Sequence, residues 1–221
     1  MEKLLENIAR FGTAFYADAM EEAGTEMRVM DRGMRPVLPF QRTVGQAMTI
    51  RLTLEDAEES NYTDVLAEML DRARQMVRPI FVYECHIGER APWGDGASRF
   101  AQASGCVATV LEGFVRDTED LRNLDYQVYA QGITPFSFTS THIDGKAITA
   151  TSGQEVRVGG VPVREGDLVY GDNDGMVVFA PDKAEELMAH ARKISDIERQ
   201  IFERLDEGKT YLEAIGGFFD W

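Results

Sequence analysis

Three carboxylates and one arginine stand where they could do chemistry together. Arg116 and Asp117 are adjacent in "VLEGFVRD" (110–117), just past an apolar run that reads as a buried strand. Asp95 lies in "GDGAS" (94–98), where a helix is expected to begin. A fixed guanidinium can donate to a developing oxyanion. A hard cation such as Mg²⁺ takes one or two carboxylates and keeps its waters. A helix N-terminus with two small glycines offers free N–H groups to an anion such as a carboxylate. The third acid is Glu198. Ala184, Leu187, Ala191, Ile194, Glu198, Ile201 and Leu205 step by three and four along the last helix, an a/d stripe with one charge in it. Such a stripe can pack on another subunit and deliver Glu198 into a site.

Each piece also has an ordinary structural explanation. Asp95 can be a helix cap, Arg116–Asp117 a surface ion pair, and the glycines plain turns. Glu198 can reach the rim of its stripe. Joint placement on one sheet edge separates the readings, and the elements decide that. "PIFVYE" (79–84) and "CVATVLEG" (106–113) read as buried strands around a helix at 95–104. Strand–helix–strand predicts a parallel pair, and ligands bind beyond the C-terminal ends of such strands. Asp95, Arg116 and Asp117 would then open on one crevice. His86 lies near it and could touch substrate, but the reading is against a catalytic role; His142 and His190 show no metal-ligand spacing.

Other expected elements are helices at 14–23 and 62–77 and strands at 45–53, 126–131, 155–158, 167–170 and 176–179. A final helix runs from about 181 to 206, within a C-terminal arm to about 216. The conformation of the segment containing "STHIDGKA" is not legible from its pattern. No linker or repeat interrupts the 221 residues, so the expectation is one α/β domain with a long C-terminal helix. A net charge of −15 repels phosphate backbones and argues against nucleic-acid binding. The two cysteines, Cys85 and Cys106, fit reduced thiols. No signal peptide or membrane-spanning run is read, so the expected setting is cytoplasmic.

"RAPWGDGASRFAQASG" (90–105), "VLEGFVRD" (110–117), "QGITP" (131–135) and "GGVPVREGDLVYGDNDGMVVFAP" (159–181) carry a resemblance, together with the last helix and its Glu198. "YADAMEEAG", "DRGMRPVLP" and "TVGQAMTI" fit it too. In this order and spacing they resemble the family named for the regulator of ribonuclease E activity A. That family includes class II pyruvate aldolases acting on 4-hydroxy-4-methyl-2-oxoglutarate. The resemblance implies a swivelling β/β/α fold, a homotrimer or homohexamer, and sites between subunits. It implies Mg²⁺ or Mn²⁺ bound by Asp117, with Asp95 and a neighbouring subunit's Glu198 holding the metal's waters. Arg116 would face the keto oxygen. Backbone N–H groups around Gly94, Asp95, Gly96, Ala97 and Ser98 would hold the pyruvyl carboxylate.

The implied reaction is C–C cleavage of a 4-hydroxy-2-oxo acid to pyruvate. Oxaloacetate decarboxylation shares its enolate, and a water near Asp95 or the metal is the candidate base. The rival is a non-catalytic regulator that binds a ribonuclease. The chain departs from the family before "RPIFVYE", where a Gly-Asp is usual, and at "SFTSTHIDGKAITATSGQ" (137–154), which could alter specificity or an interface.

Overall fold

An apolar run without polar alternation has to be covered on both faces, and Pro79–Cys85 is. Its Ile80 and Val82 enter one buried cluster, and its Phe81 and Tyr83 enter another. The computed structural model describes residues 1–38, 42–138 and 140–218. In chain order it forms α1 (Glu2–Ile8), α2 (Thr13–Glu22), β1 (Arg35–Pro36), β2 (Thr43–Glu55), α3 (Tyr62–Ala73), β3 (Pro79–Cys85), α4 (Asp95–Ala103), β4 (Ala108–Val115), α5 (Thr118–Leu121) and β5 (Gln127–Ile133). There follow β6 (His142–Ile143), β7 (Lys146–Ser152), β8 (Val156–Val158), β9 (Val161–Val163), β10 (Leu168–Gly171), β11 (Met176–Phe179), a 3₁₀ turn at Pro181–Lys183, α6 (Ala184–Asp206) and α7 (Tyr211–Ile215).

The mixed sheet runs β1-β5-β4-β3-β2-β10-β11. Its trunk, β2 to β5, is parallel throughout. The 13 residues of β2 serve two antiparallel partners along one edge: β10 pairs with Thr43–Gln46 and β7 with Ile50–Glu55. The β8–β9 hairpin covers the Ile80–Val82 face with Val156, Val158, Val161 and Val163. Tyr62 and Met69 of α3 and Ala101 of α4 cover the other. Helices α1, α2 and α6 close a third cluster over β10 and β11, centred on Tyr16, Tyr170 and Phe179. The molecule is thus a mixed α/β domain ending in a long helix. Among the described residues, no helix is long and apolar enough to cross a membrane.

Three expectations change. The helix expected to reach residue 77 stops at Ala73. Pro79 disfavours helical backbone at Arg78. Arg78 instead takes φ +50°, its carbonyl accepting from Gln46 N–H at 3.1 Å and its Nε donating to Val44 O at 3.0 Å. The strand expected to end near Gly113 continues to Val115 across a register irregularity between Leu111 and Phe114, where Gly113 takes φ +147°. Arg116 therefore follows the strand directly. The unread segment forms β6 and β7 around Asp144-Gly145, both at positive φ, which suits a two-residue hairpin turn. Thr139, in the same segment, lies outside the described residues.

Candidate functional site

The site is built where β3 and β4 end. The loop after β3 returns to the sheet at Trp93, which forms a parallel bridge with Val115 and accepts the Arg116 N–H at 3.1 Å. Trp93 is buried, its ring 5.2 Å from that of Tyr83 and 6.0 Å from that of Phe81. Its indole N–H donates to Ser98 Oγ at 2.8 Å. One buried aromatic thus fixes the start of α4 against the end of β4, which places Asp95 beside Arg116 and Asp117.

Gly94 is the point of closest approach. A Cβ there would overlap Asp117 Oδ2 and lie 3.1 Å from Arg116 Cγ. Asp117 takes a left-handed conformation, φ 60° and ψ 36°, which Asp tolerates better than most residues. Its carbonyl accepts from the N–H groups of Asp120 and Leu121, both at 3.0 Å, starting α5. Its Oδ2 lies 3.4 Å from Asp95 N and 3.3 Å from Arg116 Nε. The Asp117 side chain is about a third exposed. The structure therefore brings together Gly94, Asp95, Arg116 and Asp117 on one edge. The N–H groups of Gly96 and Ala97 lie ahead of the first internal bond of α4, Ser98 N–H to Gly94 O at 3.0 Å.

Three expected site residues are placed differently. Ser98 is fully buried, its N–H spent on Gly94 and its hydroxyl on Trp93, so the cradle is shorter than the sequence reading had it. Asp95 turns its carboxylate along its own helix, with Arg99 Nε 2.8 Å from each oxygen. Glu198 is exposed, on the half of α6 beyond the last buried residue, Ala191. Of its stripe, Ala184, Leu187 and Ala191 are buried, Ile194 and Ile201 are half-buried, and Leu205 is exposed. Among the described residues, no three His, Cys, Asp or Glu side chains form a group able to hold a metal ion. Asp95, Asp117 and Glu198 are thus not assembled within one chain.

A second polar group lies on the same edge; the sequence reading placed His86 near it but not its partner Glu84. Glu84, 8% exposed, accepts from Arg51 Nε at 2.8 Å and Arg157 N–H at 3.1 Å, and its Oε1 is 2.9 Å from His86 Nε2. Burial alone would raise its pKa; the bonds from His86, Arg157 N–H and Arg51 outweigh this and hold it below the ordinary value. Its register partner Glu112 accepts from Gly159 N–H at 2.9 Å. Burial, with Glu84 and Asp31 adding to it, raises the Glu112 pKa. A lone "E-x-H" in a strand end carries no spacing signal, so only the fold could show it. Burial also pushes the Cys106 thiol up to about 12, and burial beside Glu112 and Glu84 raises that of Cys85, which disfavours thiolate chemistry at either.

The donor chemistry suits a hard divalent ion. Asp117 presents a partly exposed carboxylate, and one such ligand with waters matches the way Mg²⁺ is commonly held.

Residues 13–178 match the family described as RraA-like, Aldolase/RraA. A Methanocaldococcus jannaschii protein, itself uncharacterized, is 30% identical over 83% of each chain. A Halalkalibacterium halodurans protein with the provisional name 4-hydroxy-4-methyl-2-oxoglutarate aldolase is 29% identical over 57% of this chain and 59% of its own. In fold, the chain is similar to Streptomyces coelicolor RraAS2, described as an unusual member of the RNase ES inhibitor RraA protein family. That match has a TM-score of 0.77 and 23% identity, covering 93% of this chain and 98% of the other. With most of its length matched, the chain belongs to the RraA-like (Aldolase/RraA) family.

Proposed function

We propose that this protein is a divalent-metal-dependent lyase that cleaves the C–C bond of a 4-hydroxy-2-oxo acid, of the 4-hydroxy-4-methyl-2-oxoglutarate type, to give pyruvate. Oxaloacetate decarboxylation, which passes through the same enolate, is a second activity of the same site. The observation that carries the reading is the contact at Gly94, which sets Asp117 and Arg116 against the N-terminus of α4.

In this reading the Gly96 and Ala97 N–H groups hold the pyruvyl carboxylate. Arg116 donates to the keto oxygen, where negative charge develops as the bond breaks. Asp117 would hold Mg²⁺ or Mn²⁺, with Asp95 and the partner subunit's Glu198 reaching it through water. When bound, the ion supplies Lewis-acid stabilisation of the enolate. The exposed end of α6 supports a homotrimer or homohexamer in which one chain completes its neighbour's site; a cytoplasmic setting goes with this reading.

The test is pyruvate release from a small panel of 4-hydroxy-2-oxo acids and oxaloacetate, with added Mg²⁺ or Mn²⁺ and after exhaustive chelation. Release that chelation abolishes and metal restores is the expected outcome; release that survives chelation unchanged overturns the metal mechanism. The net charge of −15 favours a rival, an adaptor that binds a basic segment of a ribonuclease. An adaptor has no need for the closed Gly94–Asp117 contact, and a chain inactive on the whole panel would favour it.

A further inference from the structure

The chemistry above leaves its proton transfer without an assigned side chain, and His86 is a histidine built for one. It opens the loop after β3, and its own N–H donates to Leu52 O of β2 at 2.8 Å, so the backbone fixes it at the C-terminal edge of the sheet. Its ring is fixed as well, by the 2.9 Å contact of Nε2 with Glu84 Oε1. Glu84 is in turn locked through its other oxygen by Arg51 and by Arg157 N–H. A buried carboxylate held this way sets the orientation and tautomer of an imidazole. The His86 side chain is nevertheless 55% exposed, and among the described residues Nδ1 makes no hydrogen bond.

The position suits a substrate held at Arg116. Glu84 pairs with Glu112 across β3 and β4, so the same register sets His86 level with Phe114. Arg116 is two residues farther on, about 7 Å of strand. Two long side chains and the carbon chain of a hydroxy-oxo acid are suited to fill that gap. The charged group in contact with the imidazole is Glu84 of β3, with Glu112 of β4 near it; Arg51 of β2 bonds Glu84, and Asp31 lies beside Glu112.

We propose that His86 is the proton-transfer residue of the lyase reaction, an inference that rests on the function proposed above. Nδ1 takes the proton of the C4 hydroxyl. The C3–C4 bond breaks, C4 becomes a carbonyl, and the electron pair of the bond passes into the pyruvate enolate. The imidazolium then returns its proton to C3. One proton is taken and one returned, so no oxidant, reductant or further reactant is required.

Two substrates separate this role from a structural one. Cleavage of a 4-hydroxy-2-oxo acid needs a proton taken before the bond breaks, whereas decarboxylation of oxaloacetate does not. His86→Asn is expected to lower kcat on the hydroxy acid by about 10²–10⁴, with KM within a few-fold. Added imidazole should restore part of the rate. Oxaloacetate decarboxylation should fall far less. Equal losses on both substrates, or a variant close to wild type on the hydroxy acid, overturn the role of His86. Wild-type protein that releases pyruvate from neither substrate overturns the lyase reading itself, and this inference with it.

Discussion

Gly94 and Asp117 meet so closely that a Cβ on Gly94 would overlap the Asp117 carboxylate where it lies. The backbone at Gly94 is extended, φ −170°, so the requirement for glycine comes from this neighbour and not from backbone strain. A side chain at Gly94 would require the Asp117 carboxylate to leave its place beside the start of α4.

Gly94→Ala should therefore displace Asp117 and Arg116 while leaving the fold intact. A shift of about 1 Å at reacting groups can cost roughly 10²-fold in rate. Steady-state pyruvate release should fall by that order, with the thermal midpoint nearly unchanged. Normal activity in the variant would mean that the contact does not set the geometry of the site.

Arg116→Lys keeps the charge but loses the planar fork. Loss of one donor to a developing oxyanion typically costs about 10²–10³ in kcat. The expected result is that loss with an unchanged circular dichroism spectrum. A lysine variant within a few-fold of wild type would reduce Arg116 to an ion-pair partner of Asp117.

Asp117→Ala and Glu198→Ala should each be nearly inactive, and mixing them should restore activity. In a ring, a site drawing Asp117 from one chain and Glu198 from the next is intact in roughly one case in four after random mixing. Co-expressed or co-refolded variants should therefore recover about a quarter of wild-type activity per site. No recovery in oligomers verified as mixed would remove Glu198 from the chemistry.

Glu84 makes stability depend on acid. Its folded pKa is depressed, so its contribution is complete above the unfolded value of about 4.3 and is lost as pH falls through the lower folded value. Denaturant unfolding measured from pH 5 downward should show that loss. Glu84→Gln should flatten the slope and cost about 1–3 kcal/mol near neutral pH, since it weakens hydrogen bonds to a charged group. An unaltered acid slope would show that the Arg51 and Arg157 bonds do not differ between the folded and unfolded chain.

The parallel β3–β4 pair was legible because its strands announce themselves: an apolar run has to be buried, and the helix between Gly94 and Gly105 has to cross over. Arg116, Asp117 and Asp95 could be placed on one edge for the same reason. The β6–β7 hairpin was missed although its signal, Asp144-Gly145 before the alternating "KAITATS", was present. The length of β4 was misjudged because a bulge at a glycine looks like a strand end. The Asp95–Arg99 pair, four apart on one helix, was open to a spacing argument, but the side-chain bonds of Glu84 lay beyond any pattern. They depend on which rotamer finds a partner across the fold, as when Arg157 N–H reaches Glu84 from a hairpin 73 residues away.

The split edge of β2 has a consequence for how the chain is made. Both strands that cover it, β7 and β10, lie after residue 145, whereas β2 to β5 are complete by Ile133. During synthesis, the parallel trunk can therefore form while the outer edge of β2 still has no partner. An open edge of this kind is a template for pairing with another chain. Ribosome-stalled chains ending near residue 145 should be sticky, and chains extended past Gly171 should not. The last third of the sequence thus acts as a cap on the nascent fold before it has any part in chemistry.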